Sequence, residues 1–371
     1  MNIGIYTLPL HTNFGGILQA YALQTTLEQL GHEAIIIDRP PYPILDKDRK
    51  SFIYAKRFIK KYLFRQNIEI FKEKKFYKTY PIISQNTQKF IDKYIHRIII
   101  NNLRDLNPNS FDAIIVGSDQ IWRAVYNSKI ENSYLLFAKD WDIKRIAYAA
   151  SFGTDKWEYS PQQTILCASL LQKFNAVSVR ETSAIKLCKK YFNVQAVSVL
   201  DPTMLLDKND YIQLINHAET KPSQGNLLNY ILDETPEIKE FINKIAQQRG
   251  LTPFRINGKA EDKNAPLIER IQPSVEQWLR GFYEAELIIT DSFHACVFSI
   301  IFNKPFIVYG NKERGLARFE SLLNLFSLQE NLITDLSQDH ALKIKAGSIL
   351  SQEKLKEEKK RSLEYLIRTL K

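Results

Sequence analysis

A chain of 371 residues exceeds one small core and, at ~100–200 residues per domain, suggests two domains. Its 44% hydrophobic and 25% charged residues are ordinary for a folded globular chain, which excludes disordered and collagen-like classes. No apolar run exceeds five residues, against the ~20 that a membrane-spanning helix needs, and the net charge of +10 is concentrated in one segment.

The opening MNIGIYT reads as a buried strand rather than a secretory signal, with a strand expected at 2–7, a helix at 15–30 and a second strand at 33–38. Pro40, Pro41 and Pro43 then break the chain, and a basic helical insertion, 47–80, follows. Between 47 and 78 twelve Lys and Arg face three Asp and Glu, so the rest of the chain is close to neutral. Phe52, Ala55, Ile59 and Leu63 fall there at helical spacing, with Phe58 and Tyr62 beside them. Two readings stay open: a cover helix docked by its apolar stripe, or a helix lying on an anionic membrane surface. No DNA- or RNA-binding motif accompanies the charge, so nucleic acid is not an expected partner.

Strand signals resume at 112–117, 145–150, 176–180 and 195–200, with helices at 162–173 and 182–192. The second part repeats the theme, with strands at 227–232, 252–256, 286–290 and 305–309. Helices are expected there at 236–249, 274–284, 293–302 and 313–326, and the tail 351–370 reads as a charged amphipathic helix. Such alternation argues for parallel sheets covered on both faces. The expected class is α/β, with two Rossmann-like domains facing across a cleft. The polar stretch 216–226 is the linker, which gives an N-terminal domain 1–215, a C-terminal domain 216–350 and a closing helix 351–371. Cys167, Cys188 and Cys296 are scattered without metal-like spacing and read as small buried residues in a reducing compartment.

In open α/β sheets ligands bind outside the carboxyl ends of strands. Past each expected strand stand His11 and Asn13, then Ser118 and Asp119, then Ser151, Arg180, Asp201, and Asp291 with His294. Gly15 and Gly16 open the first helix and would allow close backbone approach and anion binding, or simply form a tight turn. Asp119 is a base, a hydroxyl-binding group or a helix cap. Arg180 suits a carboxylate or phosphate, or an ion pair with Glu181 or Asp201. Asp201, just ahead of Pro202, reads as a helix start. His294 is a core histidine or an acid–base group with Asp291 one turn away. Arg314 and Arg318, four residues apart on one helical face, form an anion clamp or a solvated face.

Seven segments then combine: NFGGILQAYAL (13–23), FDAIIVGSDQIW (111–122), IAYAASFG (146–153), SVRE (178–181), VLDPTMLL (199–206), TDSFHACVFSIIFNKPF (290–306) and KERGLARFESLL (312–323). In content and order they resemble the polysaccharide pyruvyl transferase family. The resemblance implies two Rossmann-like domains similar to the GT-B glycosyltransferases, closed by a C-terminal helix. It implies transfer of the enolpyruvyl-derived group of phosphoenolpyruvate to a sugar, as a cyclic pyruvate ketal. By motif position His294 and Arg180 match the family's donor-site histidine and arginine, and Asp119 matches its carboxylate. Many members carry an arginine two residues before the histidine; here that position is Ser292. Arg314 and Arg318 are then the expected substitutes.

Together these readings give an expected mechanism and setting. His294 would protonate C3 with Asp291 supporting it, Asp119 would orient or deprotonate a sugar hydroxyl, and Arg180 would hold phosphate. No metal or cofactor is expected. The resemblance implies a lipid-linked or nucleotide-linked sugar acceptor and a cytoplasmic setting, with peripheral contact at the inner membrane face left open. The rival readings are a nucleotide-sugar glycosyltransferase on the same fold and a non-catalytic sugar-binding homologue.

Overall fold

The computed structural model describes residues 1–40, 47–127, 129–310, 315–336 and 349–371, which form two parallel sheets. The first contains β1 (Asn2–Tyr6), β2 (Glu33–Asp38), β3 (Arg97–Ile99), β4 (Ala113–Val116), β5 (Lys144–Ala150), β6 (Ala176–Val179) and β7 (Val197–Ser198). Their order is β3-β2-β1-β4-β5-β6-β7. The second contains β8 (Leu227–Tyr230), β9 (Pro253–Phe254), β10 (Leu287–Thr290), β11 (Phe306–Tyr309) and β12 (Leu332–Ile333), in the order β12-β11-β10-β8-β9. Most central strands are buried end to end, as expected of strands covered on both faces.

Each sheet reverses its winding once. In the first, β1 lies between β2 and β4; in the second, β8 lies between β9 and β10. Ligands of such sheets bind where the strand order reverses, outside the carboxyl ends. Those ends carry Asn13–Gly16 and Ser118–Asp119 in the first sheet, and Asp291–His294 in the second.

The helix Phe14–Gln29 joins the two sheets. It is buried on nearly every side, from Phe14, Ile17 and Leu18 to Gln24 and Leu27, which suits an element enclosed by protein rather than a surface helix. Phe14 stacks on Trp278 of the helix Val275–Glu284, centroids 5.5 Å apart. The same apolar cluster includes residues of both sheets, Ile5 and Ile115 on one side and Ile288 and Val308 on the other. The C-terminal helix Ile349–Leu370 also bridges them. Gln352 donates to the Ile300 carbonyl (2.9 Å), Ser362 accepts from the Leu200 amide (3.0 Å), and the Leu370 carbonyl accepts from Lys144 (3.0 Å).

Near the cleft the backbone leaves ideal geometry. Strand β5 bulges against β6 between Ala147 and Ala150, and Ala149 has φ of 48°. The Ser178 hydroxyl bridges the bulge, accepting from the Ala149 amide and donating to the Ala147 carbonyl. The Tyr148 carbonyl is thereby pushed against Gly117, where any Cβ would overlap it. Gly117 also sits at φ 137°, a region that suits glycine. Such bulges re-aim the residues beyond them, and this one brings Ser151 beside Ser118 and Asp119.

The insertion departs from its expected form. It holds two helices, Lys47–Tyr62 and Lys72–Ile83, fastened by a two-pronged Arg57–Glu73 ion pair with both distances at 2.6 Å. The docked-stripe reading is overturned. Ile53, Tyr54 and Arg57 face inward, whereas Phe52, Ala55, Ile59, Tyr62 and Leu63 are exposed. The pattern also failed to signal the helices Gln85–Tyr94 and Lys208–Asn216 and the short strands β3 and β12. Among the described residues no helix is long and apolar enough to cross a membrane.

Candidate active site

A buried cluster of charge occupies the facing strand ends. At its centre is Asp201, which sequence reading took for a helix start. It does cap the turn after β7: its Oδ1 accepts from the amide (3.1 Å) and hydroxyl (2.7 Å) of Thr203. The other oxygen, Oδ2, accepts from Arg180 Nη1 (2.8 Å) and Ser118 Oγ (3.1 Å), and lies 3.7 Å from His294 Nε2. That last separation is an ion-pair contact rather than a hydrogen bond. Arg180 completes the chain through Nη2, 3.3 Å from Asp119 Oδ1. All four groups are at least nine-tenths buried. Sequence reading brought Asp119, Arg180 and His294 together and named Asp201 as a helix start and as a possible ion-pair partner of Arg180. That pair is present, whereas the place of the same carboxylate beside His294 was not foreseen.

Local structure fixes each side chain. Ser118, fully buried, receives its amide's partner from Gln19 Oε1 (2.9 Å) and spends its hydroxyl on Asp201. Ser151 is equally buried. Its hydroxyl accepts from the Gly153 amide, and its own amide donates to the Asp119 carbonyl. Both serines therefore position the cluster rather than offer a free hydroxyl to a ligand. Asp119 has φ of 54°, a left-handed conformation that Asp tolerates better than most residues but that still costs energy. Glu181 is fully buried and accepts from the amides of Phe152 and Gly153, so it holds a loop rather than pairing with Arg180.

His294 enters from the second sheet, in the first turn of the helix Phe293–Ile301. Its ring lies directly on Gly15, where a Cβ would overlap Nδ1. Gly15 is thus required by close approach across the cleft. Asn13 caps the helix Phe14–Gln29 by accepting from the Gly16 amide (3.2 Å), which accounts for Asn13 and Gly16 without a ligand. Nε2 of His294 is buried and has no hydrogen-bond partner among the described residues. Asp291 does not support it: that carboxylate accepts from the amides of Leu232 (2.8 Å) and Asp233 (2.9 Å) and ties two strand ends together. The carboxylate beside His294 is Asp201 instead.

Two guanidinium groups flank the Phe293 ring, Arg180 at 4.2 Å and Arg318 at 5.7 Å from its centroid. Their situations differ. Arg180 is bound by two carboxylates through its Nη atoms, whereas the half-buried Arg318 forms no ion pair among the described residues. Both Nε atoms are buried without a hydrogen-bond partner among those residues. Burial lowers the Arg318 pKa to about 10, with repulsion from Arg180 next and attraction to Asp119 opposing it. It still carries its charge at neutral pH. Arg314 lies outside the described residues. Ser292 precedes the helix without capping it, so the amides of that helix start have no side-chain cap.

The carboxylates respond to this surplus of cations. Burial pushes the Asp119 carboxyl up, but Arg180, then His294 and Arg318, bring it below the ordinary range. Asp201 is held lower still: burial again opposes, and His294 and Arg180 prevail. Both remain ionised, which suits fixing a histidine and a hydroxyl better than accepting protons. On the β1 side His11 behaves differently. Burial lowers its pKa, with Glu261, Asp119 and Asp38 opposing, and its ring touches Thr12 Oγ1 at 3.3 Å. It is the neutral imidazole of the cleft. No group of three or more His, Cys, Asp or Glu among the described residues is arranged to hold a metal ion.

A family model described as polysaccharide pyruvyl transferase matches residues 13–313. No curated protein matches the sequence. Among solved structures, the UDP-GlcNAc 2-epimerase from Neisseria meningitidis bound to UDP-GlcNAc is similar over 99% of this chain and 98% of that one, at 10% identity and a TM-score of 0.51. Acinetobacter baumannii MurG is similar over 98% and 94%, at 13% identity and a TM-score of 0.43. At 10% identity the likeness to the epimerase is one of fold alone, a two-domain GT-B-like arrangement.

Proposed function

Because the chain belongs to the polysaccharide pyruvyl transferase family and is a transferase, we propose that it moves the enolpyruvyl-derived group of phosphoenolpyruvate onto a sugar and closes a cyclic pyruvate ketal. The observation that carries this reading is Arg318, a half-buried cation whose buried Nε has no partner among the described residues and which has a second cation beside it. Such a group favours an anion. A donor with a carboxylate and a phosphate supplies two, and the uncapped helix start at Ser292 offers further N–H donors. Arg318 thus supplies charge near the position where the family's arginine is replaced by serine.

The residues divide the chemistry between them. One sugar hydroxyl attacks C2 of the donor while His294, beside the Asp201 carboxylate, gives a proton to C3. A second hydroxyl then bonds to C2 as the C–O bond to phosphate breaks, and its proton leaves with the phosphate. The products are a ketal bearing a methyl and a carboxylate, and inorganic phosphate. Neutral His11 accepts the attacking hydroxyl's proton, and Asp119 orients that hydroxyl. Arg180, already bound by two carboxylates, positions them rather than holding phosphate alone.

Arg318→Ala tests the reading. Losing one charge-assisted contact costs ~1.5–3 kcal/mol, so the phosphoenolpyruvate KM in a phosphate-release assay is expected to rise roughly 10- to 100-fold. An unchanged KM would place Arg318 outside the donor pocket. Thermal stabilisation of the wild type by a nucleoside diphosphate, with none from phosphoenolpyruvate, would instead favour the nucleotide-sugar glycosyltransferase. Failure to release phosphate with any sugar in a panel would favour a non-catalytic homologue.

A further inference from the structure

The helix pair 47–83 lies outside the cleft, and the chemistry above uses none of it. A helix on a globular protein normally buries its apolar stripe and turns its charges outward. Here much of the apolar stripe faces outward together with the charges. The inward contacts of Lys47–Tyr62 are the Arg57–Glu73 ion pair, an Arg57 bond to the Ile70 carbonyl (3.1 Å), and Tyr54 edge-on to Phe71. The outward residues are apolar: Phe52 is 71% exposed, Phe58 55% and Leu63 76%, and Phe64 follows at 64%. Lys56, Lys60, Lys61 and Arg65, all exposed, lie among them. The Arg57–Glu73 pair holds this face outward, so the exposure is built into the fold.

The surface continues beyond the insertion. The 3-10 turn Leu267–Arg270 packs against the helix Lys72–Ile83, and its Ile268 is 75% exposed. Gln272, just beyond that turn, donates its amide to the Ile83 carbonyl and accepts at its own carbonyl from Asn86. An apolar face bordered by basic side chains, with aromatic rings among them, has one partner that satisfies both features at once. That partner is a bilayer with anionic headgroups: the rings enter the headgroup layer while the lysines stay among the phosphates. We propose that this face docks on an anionic phospholipid membrane. An acidic protein would satisfy the charges without needing the rings, and a second copy of the chain would set two basic faces against each other.

The full chain is mixed with vesicles of phosphatidylcholine alone, or with about a third phosphatidylglycerol, and sedimented at low and high salt. Wild type is expected in the pellet with anionic vesicles at low salt, and reduced there at high salt or with the neutral lipid. A quadruple variant, Lys56→Gln, Lys60→Gln, Lys61→Gln and Arg65→Gln, should lower partitioning on the order of 10³-fold, from about a fivefold loss per charge. A triple variant, Phe52→Ser, Phe58→Ser and Leu63→Ser, keeps every charge and should also lose binding. Both variants should melt at or slightly above wild type, because none of the seven side chains is buried. Wild type left in the supernatant at low salt overturns the proposal. Unaltered binding by the triple variant overturns it too, since the apolar face would then be irrelevant. A wild-type dimer that the triple variant converts to monomer assigns the face to a second copy. No donor or acceptor enters this assay, so its result is separate from that of the Arg318 test.

Discussion

Positive charge is gathered twice in this molecule, and the two gatherings have opposite physics. In the cleft, Arg180 is buried and Arg318 half-buried beside Asp119, Asp201 and Phe293. In the helix pair 47–83, cations outnumber anions four to one, and most of them stand in water with apolar side chains exposed between them. Burial decides what each charge is worth. A buried ion leaves its partner uncompensated when removed, whereas an exposed one is screened and replaced by solvent. The cleft is therefore stiff and costly to alter; the helix pair is tolerant and free to serve a surface.

The largest expected effect follows from that contrast. Arg180→Ala strips two ionised carboxylates, both almost fully buried, of their shared partner. Breaking a buried pair this way costs ~3–5 kcal/mol. Chemical denaturation should show a loss of that size, with activity lost as well. Lys60→Ala, on the exposed face, should change stability by less than ~0.5 kcal/mol. Equal effects would end the distinction between the two regions.

Gly15→Ala sharpens the comparison next. Within a helix this change ordinarily stabilises by up to ~1 kcal/mol. At Gly15 the new methyl would overlap the His294 ring, so the sign is expected to reverse, with a cost of ~1–3 kcal/mol from overpacking. The displaced ring can no longer face Asp201, and turnover should approach that of His294→Ala, itself lower by ~10²–10⁴-fold. A stabilised variant with full turnover would mean the two sheets do not close as described.

How much of this was legible in the sequence depends on range. The central strands were visible because runs such as AIIV and LIIT carry the burial signal in every residue. Asp119, Arg180 and His294 stood at strand ends, where position alone marks them. What failed were the relations between distant segments. Asp201 announces a helix start through Pro202 and was one of two partners open to Arg180, but nothing local shows that the same oxygen lies beside His294. Asp291 is one turn from His294 in sequence, yet its carboxylate points to Leu232 and Asp233. The stripe Phe52–Leu63 was legible as a stripe, but which way it faces is set by Glu73, in the next helix.

A smaller effect concerns pH. Burial lowers the pKa of His11, so the folded protein binds that proton less well than the unfolded chain. Stability from this group is complete above the ordinary histidine value near 6.5 and declines as pH falls from there toward the lowered folded value. If His11 accepts the sugar's proton, the acid limb of kcat/KM should lie below 6.5. His11→Asn should remove that limb and flatten the loss of stability across the same interval. An acid limb that survives the substitution would assign the base elsewhere.

The smallest effect belongs to the helix pair, and its sign is informative. Twelve basic side chains against three acidic ones in thirty-two residues repel one another in the folded state. Lys56→Gln with Lys60→Gln relieves part of that repulsion while disturbing no buried contact. Melting temperature at low ionic strength should rise slightly, by no more than ~0.5 kcal/mol of stability, and the difference should vanish in molar salt, where the screening length falls to ~3 Å. Arg180→Ala should show the reverse signature, a large loss that salt changes little, because buried charges such as those around Asp201 are screened far less than exposed ones. Salt sensitivity, more than magnitude, therefore separates a region built for chemistry from one built for contact with a charged surface. A lysine double variant that lost stability in high salt as well as low would mean those side chains are packed into the fold, and the exposed face would lose its freedom to dock.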